Sequence, residues 1–142
     1  KLAQEGIPNI VLPKVHIDGL DFSFSGLKTA IINLHHKTPD INKANLAASF
    51  EKDVAEILLD NTRKAVKESN INKIALAGGV SANSYIRKAF KELEEKENIK
   101  VYYPELKLCT DNAAMIASAG YYNFLKGNFS DLKLNAVPNL KL

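Results

Sequence analysis

The sequence predicts an α/β domain with a parallel or mixed sheet and flanking helices, and three observations carry that reading. The run Lys73-Ile74-Ala75-Leu76-Ala77 is short and apolar, ends in Gly78-Gly79, and reads as a buried strand. A helical pattern follows it, with Ile86, Phe90 and Leu93 on one face, Tyr85 and Ala89 beside them and charges towards residue 97. A second strand over 98–103 is stopped by Pro104, and a last helix is expected over 112–126. Strand, helix, strand, helix at this spacing is the order of a parallel α/β unit. Two strands are too few for a complete sheet, so the pattern asks for a further segment or subunit.

The other elements are placed by the same rules. Residues 1–24 form a lead-in punctuated by Pro8, Pro13 and Gly19, in which Ile10-Val11-Leu12 is a strand or a packed loop. Asp21-Phe22-Ser23-Phe24-Ser25 alternates polar and apolar, which predicts an extended segment with both phenylalanines on one face. Ser25 stands where an N-cap belongs, and a helix over about 26–36 ends before Pro39. The clearest helix carries Leu46, Phe50, Val54, Ile57, Leu58 and Ala65 as its apolar stripe, with Glu51, Lys52, Asp60 and Lys64 largely away from it. Asp40 is available as its cap, and it should stop near Asn70. In the last helix Ala114, Ile116, Ala117, Tyr121 and Phe124 supply small and apolar surface. Gly120 there costs about 1 kcal/mol relative to Ala unless close packing needs the space. The tail, 128–142, is expected to be irregular with one docked leucine turn.

Composition narrows the function classes. The 142 residues are 46% hydrophobic and 25% charged, which fits one domain or one lobe of a larger one and excludes a disordered tail, a collagen-like repeat or a disulfide miniature. A single cysteine, Cys109, makes no internal bridge and points to a reducing compartment, the cytoplasm. No apolar run approaches the roughly 20 residues that span a bilayer, so no membrane partner is expected. The first residues do not read as a signal peptide; with no initial Met, the expectation is a processed chain or a piece of something longer. The formal charge of +3 comes almost wholly from lysine, and only Arg63 and Arg87 offer the planar fork that reads bases or phosphates bidentately. Signs alternate along most of the chain, the pattern of a solvated surface, with room for weak attraction to a polyanion such as RNA.

Three polar loops, each at a helix start, carry the candidate chemistry. In Ser23-Phe24-Ser25-Gly26-Leu27-Lys28-Thr29, Gly26 permits close backbone approach where outward-pointing amides favour an anion, and Ser23, Ser25, Lys28 and Thr29 add donors. The plain alternative is a serine cap with Lys28 in solvent, and the spacing is not that of a P-loop. In Ala77-Gly78-Gly79-Val80-Ser81-Ala82-Asn83, a double glycine at the carboxyl end of a strand marks the place where open α/β sheets bind ligands. Asn83 can donate and accept there; the alternative is a tight turn capped by Ser81. In Cys109-Thr110-Asp111-Asn112-Ala113-Ala114, Asp111 is either a carboxylate ligand to a phosphate-holding metal or, like Thr110, a helix cap. No CxxC, HxxxH or HxxE spacing exists, so a self-contained zinc site is not expected; His16, His35 and His36 lack a nucleophile partner, and the latter two fall at an exposed helix end.

These three loops, in this order and separation, resemble the signatures of the TsaD/Gcp family of tRNA threonylcarbamoyladenosine biosynthesis transferases, formerly labelled O-sialoglycoprotein endopeptidases of peptidase family M22. The resemblance covers almost the whole chain and implies the C-terminal lobe of the actin, Hsp70 and sugar-kinase type of ATPase fold. It implies transfer of a threonylcarbamoyl group from threonylcarbamoyl-AMP to N6 of adenosine 37 in tRNAs whose codons begin with A. By position, Asn83 matches the family's substrate- or nucleotide-contacting Asn, above the turn made by Gly78 and Gly79. Ser25, Gly26 and Lys28 line the same region, and Asp111 matches a metal ligand completed by two histidines of an N-terminal half that this sequence lacks. The implied cofactors are a divalent metal (iron or zinc, or magnesium with ATP) and ATP, ADP or threonylcarbamoyl-AMP. The implied partners are the N-terminal lobe, TsaB-like and TsaE-like proteins and tRNA, with self-association of a lobe cut from its neighbour. Two rivals share part of the pattern: a sugar or acetate kinase of the same fold, and a nucleotide-dependent partner-binding lobe without turnover. A peptidase is disfavoured because the nearby Ser and Cys residues have no paired base.

Overall fold

A computed structural model describes residues 1–13 and 18–138. His16 and the last four residues of the tail lie outside the described residues. The chain divides into two compact units, Lys1–Cys109 and Thr110–Leu142.

In the first unit a long helix organises everything else. The apolar stripe that begins at Leu46 becomes α2 (Lys43–Ser69), entered by α1 (Ser25–Lys37) and followed by β1 (Lys73–Ala75), α3 (Ser84–Lys96) and β2 (Lys100–Tyr102). The end of α2 falls where the sequence placed it: Asn70 takes a left-handed conformation (φ 57°), which Asn tolerates better than most residues and which turns the chain into β1. Its start does not. The cap is Asn42, whose side chain accepts the Asn45 N–H, rather than Asp40. Asn42 is the residue immediately outside the first turn, so its carbonyl oxygen reaches an unpaired amide.

The sheet is parallel and two-stranded, with Lys73 opposite Lys100, Ile74 opposite Val101 and Ala75 opposite Tyr102. The expectation of a buried first strand needs correction. Ile74 is half-buried, but Lys73 and Ala75 are exposed, because helices cover one face of the sheet and none of the described residues of this unit covers the other. On the covered face Val101 joins Ala55, Ile86, Phe90, Leu93 and Ile99 in one core. The α3 periodicity read from sequence is the one that is buried: Phe90 and Leu93 are each 2% exposed.

A second, smaller core sits on the first turns of α2, where Leu12 and Leu27 pack against Leu46. The lead-in reaches it by running along α2. Gly6 passes so close to α2 that a Cβ there would lie 2.0 Å from the Ala44 carbonyl oxygen. Beyond it the Ile7 N–H donates to Asn45 Oδ1 (2.9 Å) and the Ile10 N–H to Ser49 Oγ (3.0 Å), so two side chains one helical turn apart hold the segment. After a 3-10 turn over Leu2–Glu5, residues 6–12 therefore form an irregular packed strap that delivers Leu12 to Leu27 of α1.

Among the described residues the second unit holds one helix, α4 (Ala113–Leu125), then a turn in which Gly127 has φ 71° and the Phe124 and Phe129 rings meet edge to face. Its cap is Asn112, whose Oδ1 accepts the Met115 N–H (3.1 Å); neither Thr110 nor Asp111 plays that part.

A candidate ligand groove between three elements

Two of the three sequence loops meet. The Phe22 and Phe24 rings stack at 6.2 Å and 8°, on one face as the alternation predicts, but the extended segment expected to reach Ser25 does not: Phe24 is already in the helical region and Ser25 is helical. The helix then starts one residue earlier than expected. Phe24 is the residue at the cap position and already has near-helical angles, its carbonyl accepting from the Lys28 N–H (3.1 Å). Ser25 is thus the first helical residue and not a cap, and among the described residues no side chain caps the first turn of α1. Those first amides are left as donors at the positive end of the helix. Thr29 Oγ1 donates to the Ser25 carbonyl (3.2 Å) and so is turned to its own backbone. His35 and His36 lie in the last turn of α1, half-buried and exposed respectively.

The double-glycine loop makes the opposite wall. Gly78 has φ 82°, a conformation natural to glycine, and ends the strand by reversing the chain into a short 3-10 turn over Gly79–Ala82. Ser81 is buried and its hydroxyl donates to the Gly78 carbonyl (2.7 Å), which closes the turn. Ser81 is not the cap of α3. Asn83 is, its Oδ1 accepting the Ile86 N–H (3.0 Å) while its Nδ2 donates to Glu51 Oε1 (2.8 Å).

Between these walls lies a groove of about 910 Å³, with Phe50, Glu51, Val54 and Leu58 of α2 as its floor. Phe24, Ser25, Lys28, Ile31 and Ile32 line one side; Val80, Asn83 and Ile86 line the other. The volume is that of a nucleotide-sized or drug-sized ligand, and the chemistry is that of a typical small-molecule site: a broad apolar surface with a few convergent polar groups. Ser25 and Lys28 offer a donor and a cation on one rim, and Asn83 on the other is paired with Glu51 of the floor. Of the residues singled out from sequence, Ser25, Lys28 and Asn83 are therefore brought together. Gly26 sits in the first turn of α1, and Gly78 and Gly79 build the turn behind Asn83.

Sequence reasoning missed Glu51, grouped with the side chains that turn away from the apolar stripe. The signal was available: 50, 51, 54 and 58 share one helical face, and Phe50, which is 38% exposed, belongs to the groove and not to the core.

The two arginines are structural. Arg63 bridges Glu97 (2.8 Å) and Asp60 (3.2 Å). Arg87 donates to the Pro104 carbonyl (2.7 Å) and the Cys109 sulfur (3.2 Å), with its guanidinium over the Tyr103 ring. Cys109 is 1% exposed, a packed thiol held by that clamp. Burial pushes the Tyr103 phenol above its usual range, with Glu94 acting in the same direction. Asp111 is exposed in the second unit. Among the described residues no group of three or more His, Cys, Asp or Glu side chains comes together to hold a metal ion.

Fold and groove define an α/β module with a nucleotide-sized apolar cleft rimmed by a lysine, a serine and a capping asparagine. The family model described as TsaD, tRNA N6-adenosine threonylcarbamoyltransferase, matches residues 1–118, and the chain belongs to that family. Among curated relatives, the tRNA N6-adenosine threonylcarbamoyltransferase of Clostridium kluyveri is 49% identical over 150 residues, covering 100% of this chain and 44% of its own length. The same-named proteins of Clostridium perfringens and Thermosipho africanus are 50% identical over 149 residues and 54% identical over 136, covering 100% and 94% of the chain. The chain spans less than half the length of these relatives, 44% and 41% for the latter two. No helix among the described residues is long and apolar enough to cross a membrane.

Proposed function

We propose that this chain is the C-terminal, adenylate-binding lobe of a tRNA N6-adenosine threonylcarbamoyltransferase with the actin and sugar-kinase type of fold. The observation that carries the proposal is the groove itself. Asn83, which the resemblance equates with the family's substrate- or nucleotide-contacting asparagine, lines an apolar cleft of nucleotide size together with Ser25 and Lys28. The name these relatives carry, tRNA N6-adenosine threonylcarbamoyltransferase, supplies the reaction class.

Threonylcarbamoyl-AMP is a mixed anhydride and arrives activated. The N6 amine of the tRNA adenosine attacks the carbamoyl carbon, a C–N bond forms, the anhydride C–O bond breaks, AMP leaves with the electron pair, and the amine proton passes to solvent. Such a step needs positioning and charge stabilisation more than a protein nucleophile. Phe50 and Val54 would take the flat base, Asn83 a polar edge of the ligand, and Lys28 with the uncapped amides of α1 its phosphate.

Asp111 alone does not make a metal site. It is proposed as one carboxylate ligand of a divalent ion whose other ligands come from residues beyond this chain, and no step is routed through that ion. The partners that follow are an N-terminal lobe, TsaB-like and TsaE-like proteins and tRNA, in the cytoplasm.

The test is calorimetric titration of AMP, and of ATP with magnesium, into the chain and its Asn83→Ser and Lys28→Ala variants. Transfer of labelled threonine to tRNA is then measured after the remainder of a family member is added. Saturable binding weakened in both variants, with transfer dependent on this chain, is the expected result. A folded chain that neither binds nucleotide nor supports transfer would overturn the proposal.

A further inference from the structure

We propose that Glu51 is a positioning residue for Asn83, an inference that rests on the reading of the groove as a nucleotide site. The two ends of an asparagine amide have nearly the same shape, so only hydrogen bonds decide which way it faces. Here two bonds decide it together. The Ile86 N–H can only donate, and Asn83 Oδ1 meets it at 3.0 Å. An ionised carboxylate only accepts, and Asn83 Nδ2 meets Glu51 Oε1 at 2.8 Å. A flipped amide would set donor against donor at Ile86 and acceptor against acceptor at Glu51.

Capping of α3 uses Oδ1 alone, so it does not require Glu51, which comes from a different helix 32 residues earlier. What the second bond adds is orientation. With both bonds made, Asn83 retains one N–H and one oxygen lone pair, in fixed positions, on the rim of the groove. That remaining pair suits a ligand group that both accepts and donates, such as a ribose hydroxyl or a carbamoyl. Glu51 lines the same groove beside Phe50, where the apolar surface strengthens a charge-assisted bond.

The experiment uses the full chain labelled with ¹⁵N, AMP as the probe, and the variants Glu51→Ala and Glu51→Gln. In the wild type the two Nδ2 protons of Asn83 should be well separated in shift and slow to exchange. Glu51→Ala should collapse that separation and weaken AMP about tenfold, the effect of one lost orienting bond. It should leave the Ile86 amide protected, because the cap survives. Glu51→Gln keeps an accepting oxygen and should restore AMP affinity to within about threefold of wild type. The proposal is overturned if Glu51→Ala leaves the Asn83 signals and AMP affinity unchanged, or if Gln rescues no better than Ala. If wild type binds no AMP while the Asn83 signals respond to Glu51 as stated, the nucleotide reading falls and the positioning role stands. If AMP binds equally well with and without Glu51, the positioning role falls and the nucleotide reading stands.

Discussion

Replacing Gly6 by alanine should loosen the wall of the groove from a site far outside it. The backbone at Gly6 has φ −101° and ψ 163°, angles open to any residue, so the penalty is purely one of space. A Cβ there would stand 2.0 Å from the Ala44 carbonyl oxygen, 2.2 Å from its carbon and 2.7 Å from the Asn45 nitrogen, all backbone atoms of α2 that cannot swing aside. The strap must lift by more than an ångström. Two amide bonds then stretch, from Ile7 to Asn45 and from Ile10 to Ser49, each worth about 1 kcal/mol. If Leu12, 4% exposed, is drawn out of its core as well, the loss grows by about 2 kcal/mol. Gly6→Ala should therefore cost between about 2 and about 4 kcal/mol, reaching above the roughly 1–3 kcal/mol typical of overpacked sites. Urea unfolding followed by far-UV circular dichroism measures it as a lowered midpoint at constant slope. An unfolding free energy within about 0.5 kcal/mol of wild type would show that the strap does not rest on α2 as described.

Three further outcomes are expected. Arg87→Lys keeps the charge but loses the fork that joins Pro104 to Cys109, so the thiol should become reactive to a disulfide reagent at least about tenfold faster than in wild type; equal rates would refute the clamp. The hydrogen bond from Lys100 (2.6 Å) holds the Glu94 carboxyl below the usual range, and the same bond raises the Lys100 ammonium. The pair's contribution should thus be complete above the ordinary glutamate pKa of about 4.3, fade as pH falls through the lowered value, and fade again as pH rises through the raised lysine value. Glu94→Gln should flatten the acid limb of the unfolding midpoint against pH, and an unchanged limb would count against the bridge. Finally, α4 carries no charged side chain and buries none of Ile116, Tyr121, Tyr122 or Phe124 within its own unit. The isolated chain should therefore self-associate, and sedimentation as a clean monomer at tens of micromolar would refute it.

Periodicity made the helices and the parallel strand pair legible, because Ile86, Phe90 and Leu93 can be buried together in only one secondary structure. The caps were less legible. Ser25, Asp40, Ser81 and Thr110 or Asp111 were each reasonable, yet Asn42, Asn83 and Asn112 hold those positions, and α1 has no side-chain cap. Cap choice depends on which residue stands one step outside the first turn, and sequence fixes that boundary only to within a residue or two. The candidate site was half legible. Asn83, Ser25 and Lys28 were marked by their loops, but Glu51 lies in mid-helix, where a charged residue beside an apolar stripe looks like ordinary surface. Only the approach of the Gly78–Asn83 turn to α2 gives it a partner.

The chain's two cores have a mechanical consequence. Leu12, Leu27 and Leu46 consolidate one end of α2, Phe90 and its neighbours the middle, and Val54 is packed against both. Helix α2 is thus a common spindle on which two separately cohesive blocks ride, and the cleft is the gap between them. A ligand gripping Lys28 and Asn83 at once would tie the two blocks together, so that opening either one would first have to break its contacts with the ligand. Occupancy would then be felt as slowed amide exchange in the backs of both blocks, at residues such as Leu34 and Val101 that no ligand touches.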